Sequence, residues 1–490
     1  GTLKNATWAT RLARPPDPGA IGGQLEIKAV QYISTRGQAP DLTFGDVLLT
    51  GLARDGGLYV PAAWPQLSHD DLRALAGLPY ADAAARILLP FMDGIEEDEL
   101  LAMTRDAYGA FADPGVVPLR QLSDGHWLLE LFHGPTLAFK DVAMQLLGRL
   151  FDRELARRKQ RVTIVGATSG DTGSAAIEAC RDREAIDIFI LYPNGRVSEV
   201  QRRQMTTVLS DNVHNIAIEG TFDDCQALVK AAFNDLAFRD EIAMSAVNSI
   251  NWARVVAQVV YYITSAVALG APDRRVSFAV PTGNFGCVFA GYAARQMGLP
   301  MDKLIVATNR NDILHRFFQT GAYHMDQVVA TQSPSMDIQV ASNFERLLFD
   351  LAGRDGAVVR QQMQALAEQD GFEVTPEALA QARQLFLSHR VDEETTTATI
   401  GEVYREHGIA LDPHSAVGLR AARDLLPKGP VITLSTAHPA KFPDAVEKAC
   451  GQRPALPAHL ADIYEREERY TVLPNDLDAL QAHIRGLRRT

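Results

Sequence analysis

The feature that most restricts how this chain can fold is an alternation of two periods. Short apolar runs of strand length recur: "WLLELF" (127–132), "RVTIV" (161–165), "IDIFILYP" (186–193), "VHNIAIEG" (213–220), "VSFAVPTG" (276–283), "KLIVATNR" (303–310) and "PVITLST" (430–436). Between most of them lie segments of helical period, among them "DVAMQLLGRLFDRELARRK" (141–159), "TGSAAIEACRDR" (172–183) and "CVFAGYAARQMG" (287–298). A continuous apolar run is what a strand buried on both faces requires, and strands alternating with helices predict an α/β fold of mostly parallel sheet covered by helices. In such sheets ligands bind at the C-terminal ends of the strands, where the loops gather.

The flanks read differently. Residues 1–27 are rich in Pro, Gly and polar groups and lack the apolar centre of a signal peptide, so they read as a leader or a non-native remnant. Residues 28–118 mix short β-like runs and Gly/Pro turns, followed by helical patterns, and predict an N-terminal α+β module. A core is expected over 119–450 and a helical extension over 451–490.

The 490 residues are 47% apolar and 22% charged, with a net charge of −12. That balance suits a soluble protein with a large core and argues against a general nucleic-acid or anionic-membrane binder. No apolar run is long enough for a membrane span. Cys180, Cys225, Cys287 and Cys450 are widely spaced and form no CxxC, which favours reduced thiols in the cytoplasm.

Three loops and one lysine carry the chemistry. "GATSGDTG" (166–173) follows a strand and opens a helix; its small residues and exposed N–H groups form either an anion cradle or an ordinary capped turn. "PTGNFG" (281–286) repeats that arrangement and leaves the same two readings open. "STAHPAKF" (435–442) offers hydroxyls at a strand end, for a pocket or for a cap. In "FHGPTLAFKD" (132–141), Lys140 follows an apolar strand and a Gly-Pro turn. An amine there is easily neutralised and suits Schiff-base formation with an aldehyde cofactor; an ion pair with Asp141 or snorkelling to solvent is the structural alternative.

Taken together, "QYISTRG" (31–37), "DGGLYVP" (55–61), "FHGPTLAFKD", "ATSGDTG", "PTGNFG", "LDPHSAVG" (411–418) and "STAHPAKF" occur in an order that closely resembles the threonine synthase family of the longer bacterial and fungal type. The resemblance runs from about residue 30 to the C-terminal region. It implies a fold-type II, tryptophan synthase β-like enzyme with two α/β lobes, dependent on pyridoxal 5'-phosphate (PLP). The implied reaction, the last step of threonine biosynthesis, converts O-phospho-L-homoserine and water to L-threonine and phosphate. Carried onto this chain, the resemblance makes Lys140 the Schiff-base lysine and general acid/base. It puts Gly283, Asn284, Phe285, Gly286 and Cys287 on the PLP phosphate, and Thr436 opposite the pyridine nitrogen. Thr168, Ser169, Gly170, Asp171 and Thr172 hold the substrate carboxylate and part of its phosphate. Ser249, Asn251 and Arg254 of "NSINWAR" supply the rest of the phosphate site. Asp171 stands where the shorter, plant-like branch carries an Asn that contacts the cofactor, and Cys287 stands where Asp or Asn is expected.

The competing readings are another fold-type II activity such as a serine/threonine dehydratase, a non-catalytic PLP-binding relative, and a nucleotide-binding protein. The last lacks both a Walker lysine and a GxGxxG. His133, His414 and His438 sit in or beside the motifs and read equally as pocket or turn residues; no metal-ligand spacing is present. A monomer or a homodimer is expected.

Overall fold

The computed structural model describes residues 30–489, so the expected leader lies outside the described residues. The described chain begins with a short antiparallel pair, Tyr32–Ser34 against Tyr59–Pro61. Helices His69–Ala74, Tyr80–Leu88 and Glu97–Tyr108 follow. The first of these opens on a reciprocal cap in which the Ser68 hydroxyl accepts from the Asp71 N–H and the Asp71 carboxylate accepts from the Ser68 N–H.

The alternation of the sequence becomes two separate sheets. The larger has six strands in the order Phe386–Arg390, Met301–Thr308, Val276–Pro281, Val431–Ser435, His126–Glu130 and Leu119–Ser123. Every neighbouring pair is parallel except the last, a hairpin at the edge. The smaller sheet has five parallel strands in the order Thr471–Pro474, Val213–Glu219, Ile186–Pro193, Val162–Ala167 and Met244–Ser245. Strands Ile186–Pro193 and Val276–Pro281 are buried at every position, as strands covered on both faces must be. Residues 451–490, expected to be helical, do end in the helix Leu477–Leu487 but also contribute Thr471–Pro474 to the edge of the smaller sheet. The expectation is corrected there: a four-residue run closed by Pro fits an edge strand, where no ladder N–H is demanded of the proline.

One helix is buried almost throughout. Trp252–Ala268, "WARVVAQVVYYITSAVA", is inaccessible from Trp252 to Val267. Its many β-branched residues are poor intrinsic helix formers, and burial on all sides outweighs that preference. Asn251 starts it by accepting from the Ala253 N–H and ties it to the N-terminal module by donating to the Leu48 carbonyl (2.9 Å).

Arg346, in the helix Phe344–Leu351, fastens the same helix start and N-terminal module. It is fully buried and donates to the carbonyls of Tyr59 (3.0 Å) and Ile250 (2.6 Å) and to the side chain of Asn343. Next to it Glu345 accepts from Thr35 (2.6 Å) and pairs with Arg36 (3.0 Å). Five donors in a fixed plane let one guanidinium hold several backbone segments in register.

Candidate active site

Lys140 and the three loops 166–173, 281–286 and 435–442 each lie just past the C-terminal end of a parallel strand. Lys140 begins the helix Lys140–Arg158 after a turn that follows His126–Glu130. Asp141 makes that turn: its carboxylate accepts from the Thr136 N–H (2.8 Å) and hydroxyl (2.6 Å) and is fully buried. A Cβ on Gly134 would lie 2.4 Å from the Asp141 Cβ, so the Gly-Pro turn admits no larger residue. Asp141 therefore serves the turn and does not pair with its neighbour. Burial pushes its pKa up to about 6 against those hydrogen bonds.

The turn is clamped to the strand end of "STAHPAKF". The Phe139 N–H donates to the Thr436 carbonyl (2.8 Å), the His438 N–H donates to the Leu137 carbonyl (3.0 Å), and Ala138 bridges Ala437. The Thr436 N–H in turn donates to the Ser415 hydroxyl (3.0 Å). Lys140 and Thr436 are thus carried by one hydrogen-bonded unit of the large sheet.

Lys140 is mostly buried and has no short ion pair. Its Nζ lies 3.6 Å from Asp171 Oδ2. Burial lowers its pKa; Asp171 opposes that shift, while Lys441 and Arg254 reinforce it. The amine is therefore easier to deprotonate than a surface lysine, the property a nucleophilic amine needs.

Asp171 is held by more than Lys140. Lys441 Nζ lies 2.7 Å from Asp171 Oδ1, and the Gln201 amide donates to the same oxygen (2.8 Å). Although burial works against the charge, Lys441 and Lys140 hold this carboxylate well below the usual range. It is an acceptor only, so it cannot make the donor contact of the Asn found in the plant-like branch.

Two helix starts face this cluster. Helix Asp171–Cys180 opens after Gly170, and helix Gly286–Gln296 opens after Phe285; neither preceding residue caps its helix with a side chain, which leaves N–H groups free in the first turn even though Thr168 takes that of Gly173. Unused N–H groups at such starts, with the dipole behind them, make anion sites. The first loop is stiffened by the Thr168 hydroxyl, which accepts from the N–H groups of Gly170 and Gly173 (both 2.9 Å). Gly170 has φ +145°, and a Cβ there would lie 2.5 Å from Gln201. The second loop is stiffened by Phe285, a non-glycine residue at φ +64° whose buried ring packs edge-on against Phe344 (5.1 Å). A Cβ on Gly283 would lie 2.4 Å from the Ser335 carbonyl oxygen. Asn284 is exposed and its carbonyl accepts from the Asn343 N–H (3.0 Å).

Cys287 follows in the first turn. Burial pushes its thiol up to about 12, so it stays protonated and offers no charge. Arg254 is buried, and one of its nitrogens donates to the Val247 carbonyl (3.0 Å). Its Nε is buried without a partner, and among the described residues no carboxylate pairs with it. Burial lowers its pKa to about 10, a penalty that an incoming anion would relieve. The buried amine, two helix starts with N–H groups to spare and an orphaned guanidinium nitrogen fit a phosphorylated aldehyde and a phosphorylated substrate.

The other expected contacts divide. Thr168 spends its acceptor capacity inside its own loop. Asn251 is fully buried, with its amide oxygen on the helix start and its NH2 on the Leu48 carbonyl, contacts that give its side chain a structural role. Ser169 is exposed and Thr172 half-buried. Thr172 lines a cavity of about 570 Å³ with Gly173, Asn248, Arg54, Lys230 and Arg239. Those three cations have no carboxylate partner among the described residues, so a chain of net charge −12 keeps a locally positive wall. Ser249, half-buried and next in the chain to Asn248 of this cavity, has its carbonyl accepting from the Asn343 amide (3.0 Å).

The histidines are structural. His133 bonds Glu130 (2.8 Å). His414 joins Asp412 (2.8 Å) to the Ser335 N–H (3.2 Å). His438 accepts from the Ala440 N–H (3.1 Å), and burial lowers its pKa to about 4. Among the described residues no group of His, Cys, Asp and Glu is arranged to hold a metal.

Comparison with known proteins agrees with this geometry. Family models match over three consecutive stretches: Threonine synthase N terminus at residues 31–108, Pyridoxal-phosphate dependent enzyme at 114–386, and Threonine synthase, C-terminal at 415–484. A threonine synthase of Pseudomonas aeruginosa is 59% identical over 459 residues, covering 93% of this chain and 98% of the relative. The chain belongs to the threonine synthase family. A PLP-bound threonine synthase from Brucella melitensis superposes with TM-score 0.92 at 56% identity, covering 94% of this chain and 100% of that one. The yeast threonine synthase gives 0.89 at 40%, covering 94% and 99%. Membership bears out the fold-type II reading and the PLP dependence. Lys441 and Gln201 are the site residues that sequence reasoning missed in this threonine synthase fold. Lys441 carried a readable signal, since it lies between Ala440 and Phe442 just as Lys140 follows Phe139.

Proposed function

We propose that this chain converts O-phospho-L-homoserine and water to L-threonine and phosphate at the cluster around Lys140. The observation that carries the reading is Arg254: a buried guanidinium with an orphaned nitrogen, close enough to Lys140 to depress its proton affinity. A dehydratase acting on free serine or threonine has no leaving phosphate to require it.

Bound PLP supplies an electron sink that acidifies the substrate carbons next to the amino group. The helix start at Gly283–Cys287 would hold the cofactor phosphate through backbone N–H groups, and the Thr436 hydroxyl would meet the ring nitrogen without placing a charge there. Lys140 Nζ would be the covalent attachment point and, once released, the base that moves protons between adjacent carbons. Its lowered pKa keeps a usable fraction of neutral amine. The N–H groups of the 168–172 loop would orient the substrate carboxylate, and Arg254, Ser249 and Thr172 its phosphate. As phosphate departs, charge accumulates on its oxygens, and a forked donor fixed in a dry site stabilises that charge with little reorganisation.

The four free cysteines fit a reducing cytoplasm, and the net negative charge fits an enzyme that binds no nucleic acid. No helix among the described residues is long and apolar enough to cross a membrane. The test is PLP-dependent release of phosphate from O-phosphohomoserine with equimolar threonine, together with borohydride reduction and mass spectrometry to locate the cofactor. Attachment at Lys140 is expected; 2-oxo acid formation from serine or threonine without phosphate release would point to the dehydratase instead.

A further inference from the structure

A second buried lysine sits behind the first. Lys441 is completely inaccessible, and its Nζ touches two oxygens, Asp171 Oδ1 (2.7 Å) and the Thr136 carbonyl (2.7 Å). It comes from the large-sheet loop that also carries Thr436, whereas Asp171 opens the first helix of the smaller sheet. The other oxygen of Asp171 faces Lys140 Nζ at 3.6 Å. A single carboxylate therefore stands between two ammonium groups, the buried one in direct contact at 2.7 Å and the reactive one beyond hydrogen-bond length at 3.6 Å.

We propose that Lys441 is a positioning residue for Lys140, acting through Asp171. Its charge pins the shared carboxylate on the far side, so that Asp171 holds Lys140 in place without drawing it into a full ion pair. Without that charge, Asp171 would turn to Lys140 as its only cation, and a close carboxylate favours the ammonium form. The amine would then lose the neutral population that attachment to an aldehyde needs. The groups facing Lys140 are Asp171, Lys441, Arg254 and the protonated Cys287; Asp171 also meets Gln201, and Lys441 faces Asp141 and His438 as well. None of the others can take the place of Lys441, because Gln201 is neutral and Arg254 bonds elsewhere.

This inference rests on Lys140 being the cofactor-bearing lysine, and its test is separable from that reading. The full-length chain, freed of PLP, is labelled with an amine-acylating reagent across a pH series, and the labelling midpoint of Lys140 is read by peptide mass spectrometry. Lys441→Gln keeps a donor for both oxygens and removes the charge; the midpoint is expected to rise by about one pH unit or more. Lys441→Arg keeps the charge and is expected to stay near the parent value. Asp171→Asn removes the shared anion and is expected to lower the midpoint, because Lys140 then faces only cations. The rate of PLP uptake, followed by absorbance, is expected to change in the opposite sense to each midpoint. A purely structural Lys441 would lower the melting temperature and leave the midpoint where it was. An unchanged midpoint in folded Lys441→Gln overturns the proposal; if that variant does not fold, an unchanged or raised midpoint in Asp171→Asn does so. Neither result alters the borohydride assignment of the cofactor-bearing lysine.

Discussion

The two loops proposed to bind anions, 168–173 on the smaller sheet and 281–286 on the larger, are held rigid in different ways. Both follow a parallel strand and open a helix whose preceding residue, Gly170 or Phe285, provides no side-chain cap. The large-sheet loop is held by hydrophobic packing of Phe285 and by backbone contact at Gly283, and it presents backbone donors with no charged side chain. The small-sheet loop is held by polar bonds, Thr168 within it and Gln201 and Lys441 upon Asp171. Packing is insensitive to charge, which suits a phosphate that stays. A polar, charge-balanced loop responds to what binds, which suits a substrate that comes and goes. The difference teaches that similar sequence signatures, "SGDTG" and "TGNFG", can be rigid for unlike reasons.

Substitutions can break that contrast. Lys140→Ala serves neither loop and is expected to abolish both functions, with turnover down by about 10³-fold or more and the lysine-dependent absorbance band gone; a persistent band without added amine would refute the assignment. Arg254→Ala should lower kcat/KM for O-phosphohomoserine about 100-fold while PLP stays bound, measured by steady-state phosphate release. Gly283→Ala forces a Cβ onto a carbonyl oxygen and should weaken PLP affinity about 10- to 100-fold, read by fluorescence titration. Gly170→Ala, at φ +145° and against Gln201, should do the reverse: KM up about tenfold with PLP affinity unchanged. If Gly170→Ala and Gly283→Ala affect cofactor and substrate equally, the division of labour between the loops is wrong. Cys287→Ser should change the pH profile of kcat least, by less than about twofold at any pH, because the thiol is held protonated up to about 12.

How much of this was readable beforehand differs by kind of information. The parallel α/β architecture followed from continuous apolar runs, which only a doubly covered sheet tolerates. Lys140 was readable through the order of the motifs it belongs to, since its own neighbours, Phe139 and Asp141, leave an ion pair or snorkelling open. Lys441 lies between Ala440 and Phe442, but its meaning depends on Asp171, and no local pattern joins two positions so far apart in the chain. Asn251 was legible in two ways, since Asn is both a good phosphate donor and a favoured helix start, and the Ala253 and Leu48 contacts that realise the second are invisible in the sequence. The strand Thr471–Pro474 was too short and too exposed to show a period.

The order of strands in the larger sheet also governs when the enzyme can come into being. Val431–Ser435 lies between Val276–Pro281 and His126–Glu130, so a strand made late fills the middle of a sheet whose other members are made early. A nascent chain emerging from the ribosome N-terminus first holds those neighbours apart, with apolar faces uncovered, until that stretch arrives. The turn that aims Lys140 is bonded to the same late stretch. Cofactor capture is therefore expected only once that stretch has emerged, and chains truncated before residue 435 are expected to be inactive and in need of chaperone protection.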